Sequence, residues 1–483
     1  MAFNSLPFLV FFTIFFFIYW KLKQKVRIQN FFLLLGSYLF YAWADWRFLS
    51  LLVASSLLNY YVGIYVEKAK SLSEKKWTLI AGLILSIGVL FFFKYYNFFT
   101  HSFVTLFVFF DIDISPTALN IIAPLGISFY TFRIISYLLD IYFNKIKATR
   151  DWLVFFNYVS FFPAVISGPI DKSKTFIPLL IKEREFNFLQ AADGSRQILW
   201  GLFKKMVIAD NCALITNDIY SNFHIVPAST LWIAALLYTI QIYADFSGYS
   251  DMAIGVSKLL GFNITRNFDY PLFSQNIAEF WRKWHISLTS WLTEYVFTPL
   301  NIAFRDYNKM GLIAAVLINF TIIGIWHGAN WTYILFGFLH GCYFIPLILN
   351  DTMNKKKKIA KDRMLPSLKE FRNVAGTFIL VTLTFILFRS ATVSEAAIYL
   401  KRMFSISILT FPVLTTGKLN LIITLFFISI MIVTEWLQRN KEHGLQIEHI
   451  KAKGIRILIY YLLIFTIVLC SANEANQFIY FQF

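Results

Sequence analysis

The chain has 483 residues, of which 58% are hydrophobic and 15% charged, and phenylalanine alone occurs 55 times. Ordinary globular chains run at roughly 45–50% apolar and 25% charged; this much apolar surface would leave aggregating patches on a soluble fold, and disorder or coiled coil would need far more charge. The net charge of +17 is spread over short loops between apolar runs, which fits positive-inside loops beside anionic membrane lipid; nucleic-acid binding is the weaker alternative, since the basic residues form no single tract.

Charge-free runs long enough for a membrane helix cover residues 1–20, 28–44, 48–66, 77–93, 114–132, 152–170, 219–244, 310–350, 373–388, 419–434 and 457–472. The run 310–350 has room for two spans. The shorter run 95–110 reads as interfacial. The expectation is an all-α polytopic membrane protein, with about 11–13 transmembrane or re-entrant helices. The apolar N-terminus, without a basic leader, reads as a retained first span. Pro163, Gly168 and Pro169 make 152–170 a candidate broken, re-entrant segment, which lipid forbids unless protein or a cavity surrounds it. Basic loops at 21–27, 67–76, 144–150, 354–363 and 438–456, all placed in the cytoplasm, put both termini outside. The crossings between 205 and 354 then come to an odd number, and a partly polar return within 246–273 is the expected missing one.

The outer thirds of the chain are bland, whereas polar, Gly, Trp and His residues are interleaved from about 120 to 345. Polar groups in a membrane are costly and mark function. Gln241 and Asp245 are four apart and share a helical face. They read either as a polar cavity wall or as a helix break in which Asp245 caps the next turn. Residues 276–299 read as one amphipathic helix, with Ile277, Trp281, Trp284, Leu288, Trp291 and Tyr295 on a single stripe. Its tryptophans and basic neighbours suit the membrane interface. His285 sits beside that stripe, and from the residues alone it reads as structural. The sharpest signal is Gly324-Ile-Trp326-His327-Gly328-Ala-Asn330-Trp331 inside a charge-free run. Gly324 and Gly328, like Gly337 and Gly341, have the spacing that lets helices approach closely. A histidine there lines a narrow cavity or bonds between helices, and His340 is the weaker candidate. No zinc-type spacing is present, and Cys212, Cys342 and Cys470 suggest neither a disulfide framework nor a metal site.

These stretches resemble the membrane-bound O-acyltransferase family, most closely its bacterial branch acting on alginate, peptidoglycan and lipoteichoic acid. The resemblance rests on Glu279-Phe-Trp-Arg-Lys-Trp-His285-Ile-Ser-Leu-Thr-Ser-Trp291 and on Gly324–Trp331. Supporting matches are Pro124–Phe132, Ser167–Asp171 and Tyr243–Asp251. One departure is that Asn-Ile-Ala-Phe follows Pro299-Leu300, where the alginate type has two glycines.

The resemblance implies a single membrane domain over 1–483, with N-terminal spans to 118, a catalytic core at 119–350 and C-terminal spans beyond. Acetyl-CoA would be a cytoplasmic donor substrate, with no permanently bound cofactor. The acceptor would be an extracytoplasmic polysaccharide, presented with a secreted or membrane-anchored acetyltransferase partner at the bacterial inner membrane. His327 would act as general base or carry the acyl group, and His285 would be the second family histidine. Asn330, taken to share His327's helical face, would orient the imidazole or donate to an oxyanion. Trp326, Asp245, Gln241, Trp281 and Trp284 would line the substrate path. The two histidines are expected near opposite faces, joined by a central tunnel. A transporter or flippase without catalysis is the rival, as is a passive scaffold; no matching halves of the inverted-repeat kind are evident.

Overall fold

In the computed structural model the described residues are 1–112, 121–355, 358–472 and 478–479, together with the backbone alone at 109; all regular structure among them is helical. Part of the expected span 114–132 and part of the lysine run in 354–363 therefore lie outside the described residues. The chain forms two compact units, one of residues 1–194 with 253–265, the other of 195–252 with 266–483. Seven helices among the described residues are long and apolar enough to cross a membrane: Arg47–Lys68, Leu72–Val108, Arg305–His327, Trp331–Leu349, Leu368–Arg389, Lys418–Leu437 and Lys453–Cys470. This is a multi-pass membrane protein.

The first unit begins with α1 (Leu6–Lys21), α2 (Val26–Ala42), α3 (Arg47–Lys68) and α4 (Leu72–Phe109). The expected separate segment 95–110 is instead the second half of α4. No proline interrupts residues 72–109, and the charge at Lys94, between the two expected segments, is accommodated within the helix, its amine 3.5 Å from Ser128 Oγ. Its 38 residues extend about 57 Å at 1.5 Å per residue. There follow α5 (Ile127–Tyr142), α6 (Trp152–Ser160), α7 (Phe162–Val165), α8 (Ser173–Ile181) and α9 (Phe188–Leu202). The expected break in 152–170 falls at Phe161, whose extended ψ of 107° ends α6, and Pro163 opens α7. Two buried guanidiniums tie this unit. Arg133 donates to the carbonyls of Tyr158 and Pro169, and Arg184 to Gln29 and Asn30 on α2.

In the chain that follows, a π-helical stretch (Phe203–Ala209) leads into α10 (Asp210–Ser221) and α11 (Ala228–Leu259). The expected span 219–244 is thus interrupted at 222–227. α11 continues through Asp245 and Asp251, so Asp245 is mid-helix and caps nothing. Next come α12 (Ile277–Lys283), α13 (Ile286–Leu292), a second π-helical stretch (Thr293–Phe297) and α14 (Thr298–Ala303). The expected single helix over 276–299 is broken, because His285 adopts a left-handed conformation, φ 46° and ψ 52°. Its tryptophans do not form an exposed stripe either: Trp281, Trp284 and Trp291 are all buried. The helix breaks turn successive rings inward from several directions, which one straight stripe cannot do.

The run 310–350 forms the two expected helices, α15 (Asn308–His327) and α16 (Trp331–Cys342), with a short α17 (Ile345–Leu349). Their contact is glycine-mediated. A Cβ on Gly324 would lie 2.2 Å from the Tyr333 carbonyl oxygen, and one on Gly337 would lie 2.2 Å from that of Phe320. α18 (Leu368–Arg389), α19 (Val393–Met403), α20 (Lys418–Leu437) and α21 (Lys453–Cys470) complete the chain. α18 opens with a capping box between Ser367 and Glu370, which is worth about 1 kcal/mol.

Candidate active site

The second unit holds both signature histidines. His327 is the last residue of α15; Gly328 is fully extended and stops the helix there. The imidazole is 3% exposed and ringed by aromatic groups: Trp326 at 5.0 Å, Phe388 at 5.0 Å and Phe336 at 5.9 Å between centroids. His285, 1% exposed, packs edge-on against Phe246 at 4.6 Å and against Trp326 at 5.5 Å. Trp326 therefore touches both imidazoles, which lie no farther apart than those two ring distances combined. That is well short of the ~30 Å of a hydrocarbon core, so the expected placement near opposite faces is corrected. The sharp turn at His285 brings its ring to the end of α15.

The proton on His285 can be placed. Asn267 Oδ1 takes the backbone N–H of Ser287 (3.3 Å) and the hydroxyl of Ser287 (2.9 Å), and lies 3.1 Å from His285 Nδ1. A backbone N–H only donates, so this Asn267 atom is the acceptor, and a neutral His285 carries its proton on Nδ1. Nε2 is then the lone-pair nitrogen. Asn267 is itself fixed by donating to Ser250 Oγ at 3.1 Å, and its carbonyl takes the Ile286 N–H at 2.8 Å. Burial, the largest cause, pulls the His285 pKa down from 6.5 to about 3, so the ring is neutral at pH 7.

His340 is a different kind of histidine. Its Nδ1 accepts from the indole N–H of Trp281 at 3.2 Å, and its Nε2 lies 3.0 Å from Thr384 Oγ1. Both ring nitrogens bridge neighbouring elements, which is a structural role.

The remaining expected residues divide. Trp284 packs on Phe280, Phe268 and Phe385. Trp281 serves His340. Gln241 accepts from Thr216 Oγ1 at 2.6 Å. Asp245 does not stand alone: Lys205 Nζ pairs with it at 2.7 Å, and the Ile479 N–H donates to it at 2.8 Å. Asn330 does not share His327's helical face, because the helix has already ended. Its Oδ1 caps α16 through the Thr332 N–H (3.0 Å), and its Nδ2 donates to the Ala391 carbonyl (2.8 Å).

A buried ionic network went unread in the sequence. Lys204 pairs with Asp251 at 2.7 Å and meets Glu435 at 3.8 Å, while Lys205 also bonds Asp210 at 2.9 Å. Tyr243 donates to Glu435 at 2.7 Å. The π-helical stretch sets these consecutive lysines into the interior together. The available signal was the Lys204-Lys205 pair itself, which reads as one more basic loop until the carboxylates are seen around it.

Residues 144–388 match the family model for the membrane-bound O-acyltransferases. The chain belongs to that family. It is an acyltransferase, and it is similar along its whole length to a probable alginate O-acetylase, AlgI, of Pseudomonas putida, at 32% identity with all of both chains covered. A peptidoglycan O-acetyltransferase of Helicobacter pylori is 34% identical over 64% of this chain and 62% of its own. A teichoic acid D-alanyltransferase of Streptococcus thermophilus is 32% identical over 60% of this chain and 75% of its own. The matched segment of the acyltransferase contains His285, Trp326 and His327.

Proposed function

We propose that this acyltransferase moves an acetyl group from acetyl-CoA, reached from the cytoplasm, to a hydroxyl of an extracytoplasmic polysaccharide of the alginate or peptidoglycan type. The observation that carries the reading is the convergence of two buried imidazoles on one indole. His327 takes the proton as the acceptor oxygen attacks the thioester carbon. The carbon–sulfur bond breaks, and the proton passes to the departing thiolate. Such a base contributes typically 10²–10⁴-fold, and the rings of Trp326, Phe336 and Phe388 enclose it. His285, its tautomer set by Asn267, keeps its lone pair on Nε2 and positions the donor. Alginate-type and peptidoglycan acceptors are supported by the names of the relatives. The enzyme sits in the bacterial inner membrane with both termini outside, as the basic loops indicate, and a secreted or anchored transferase presents the polymer.

The test is acetyl transfer from labelled acetyl-CoA by the purified full-length protein, beside polymer O-acetylation in cells. His327→Ala should abolish transfer while the folded protein and its acetyl-CoA affinity persist. Near-normal acetylation by folded His327→Ala ends the assignment, and a wild type that neither transfers nor hydrolyses the thioester favours a transporter.

A further inference from the structure

The last two membrane-spanning helices leave a cleft between them. α20 and α21 each pack against the π-helical stretch Phe203–Ala209. The groove so formed encloses about 560 Å³, within the size range of small-molecule sites. Its floor is Trp200 and Phe203, whose rings stack at 5.3 Å. One wall is built from residues between 427 and 438 on α20, the other from residues between 459 and 466 on α21, and loop residues between 444 and 450 close one end. The α20 wall is about 16 Å long at 1.5 Å per residue, which matches one leaflet of a ~30 Å hydrocarbon core. Leu437 and Leu462 line the cleft and are more than half exposed, so it opens sideways, on the lipid-facing surface of the two spans.

Two features at the loop end ask for more than hydrocarbon. Trp200 is 1% exposed, and its indole N–H has no hydrogen-bond partner among the described residues. Gly444 packs on that edge of the ring, where a Cβ would lie 2.8 Å from Nε1. A buried donor left unmet is costly. The second feature is the start of α21. Its N-cap, Ala452, offers no side-chain acceptor and its first turn holds no acid. Lys453 and Arg456 instead add positive charge to the positive end of the helix, and neither has a carboxylate partner among the described residues. Glu448 in the preceding loop is already paired with Arg196. Arg456 lies one turn before Ile459, on the face that goes on to Leu463 and Thr466, so it heads the α21 wall. The missing element is an anion.

We propose that this cleft binds one anionic glycerophospholipid, with an acyl chain between α20 and α21, an ester carbonyl accepting from Trp200 Nε1, and the phosphate against Lys453, Arg456 and the first N–H groups of α21. A free phosphate would satisfy the cations and leave the apolar walls empty. A bare hydrocarbon would fill the walls and leave both the indole and the cations unmet. Basic groups beside a cleft between spanning helices are what a lipid headgroup needs. The site takes no part in acyl transfer. Its occupant braces α20 against the π-helical stretch, and with it Glu435 beside Lys204.

The probe is dioleoyl phosphatidylglycerol, added to the delipidated full-length protein in neutral detergent. Native mass spectrometry counts the bound lipid, and the thermal midpoint follows its effect. Phosphatidylglycerol should bind one per chain and raise the midpoint saturably, at concentrations where phosphatidylcholine does neither. Leu462→Trp puts a large ring into the cleft from an exposed position, so folding is retained; it should remove both the bound lipid and the saturable rise. Lys453→Gln/Arg456→Gln should bind phosphatidylglycerol at least about tenfold more weakly. Lys70→Gln/Lys76→Gln, two exposed residues on another basic loop, should bind as wild type. Equal stabilisation by phosphatidylcholine, an unchanged lipid count in Leu462→Trp, unchanged affinity in Lys453→Gln/Arg456→Gln, or an equal loss in Lys70→Gln/Lys76→Gln overturns the proposal. So does a wild type that dimerises on delipidation while Leu462→Trp stays monomeric, which would make the occupant a second copy of the chain.

Discussion

Two buried polar clusters in the second unit contrast sharply. Around Trp326, the groups that can exchange a proton are imidazoles, and their neighbours are rings and one amide. Around Lys204 and Lys205, two ammonium groups face four carboxylates, Asp210, Asp245, Asp251 and Glu435, at 2.7–3.8 Å. A neutral imidazole can accept a proton and return it, which is what acyl transfer needs. Each lysine of this network holds two carboxylates, so removing one lysine strands buried negative charge. Chemistry is therefore expected of the first cluster and scaffolding of the second.

The contrast breaks first at His327. His327→Gln keeps bulk and hydrogen bonding but not basicity, so acetyl transfer should fall by about 10²–10⁴-fold with little change in thermal midpoint. Parallel rate and melting measurements check this. A collapse of stability with residual specific activity intact would instead make His327 a scaffold residue. Lys205→Met should do the opposite. It strands Asp245 and Asp210 and should cost about 3–5 kcal/mol, seen as lost expression and a lower midpoint, with the surviving fraction still turning over normally. Gly337→Ala tests whether the close helix contact positions His327. Its Cβ must push α15 from α16, costing about 1–3 kcal/mol and reducing turnover more than donor affinity.

The smallest effect sharpens the electrostatic side. The His285 pKa is about 3 when folded, below its unfolded value near 6.5. Below pH 6.5 the unfolded chain takes a proton that the folded one refuses. The contribution of this group is thus fully present above pH 6.5 and is lost as pH falls toward 3, by up to about 1.4 kcal/mol per pH unit. Thermal midpoints at pH 7.5 and 5.5 should drop less in His285→Asn than in wild type. Equal drops would mean that His285 is protonated in the folded state.

Several features were legible in the sequence because they are local. The apolar excess determined a helical membrane protein, the length of 310–350 determined two helices, and Pro163 marked a broken segment. His327 stood out because a polar group in a charge-free run needs a reason to be there, whereas His285, beside Arg282 and Lys283, read as structural until the resemblance singled it out. Asn330 was misplaced because helical spacing was extended past Gly328, where the helix stops. The tryptophans of 276–299 were placed at an interface because their periodicity is helical, although one left-handed residue at His285 ends the register.

What only the tertiary structure decided is pairing across long separations. Asn267 is an unremarkable polar residue until Ser250, Ser287 and His285 converge on it and set a tautomer. Lys204 and Lys205 look like loop charge until Asp245, Asp251 and Glu435 surround them. Hydropathy and periodicity report how each segment meets its solvent, residue by residue. A hydrogen bond or ion pair depends on two segments meeting within about 3 Å, and no pattern within either segment encodes that distance.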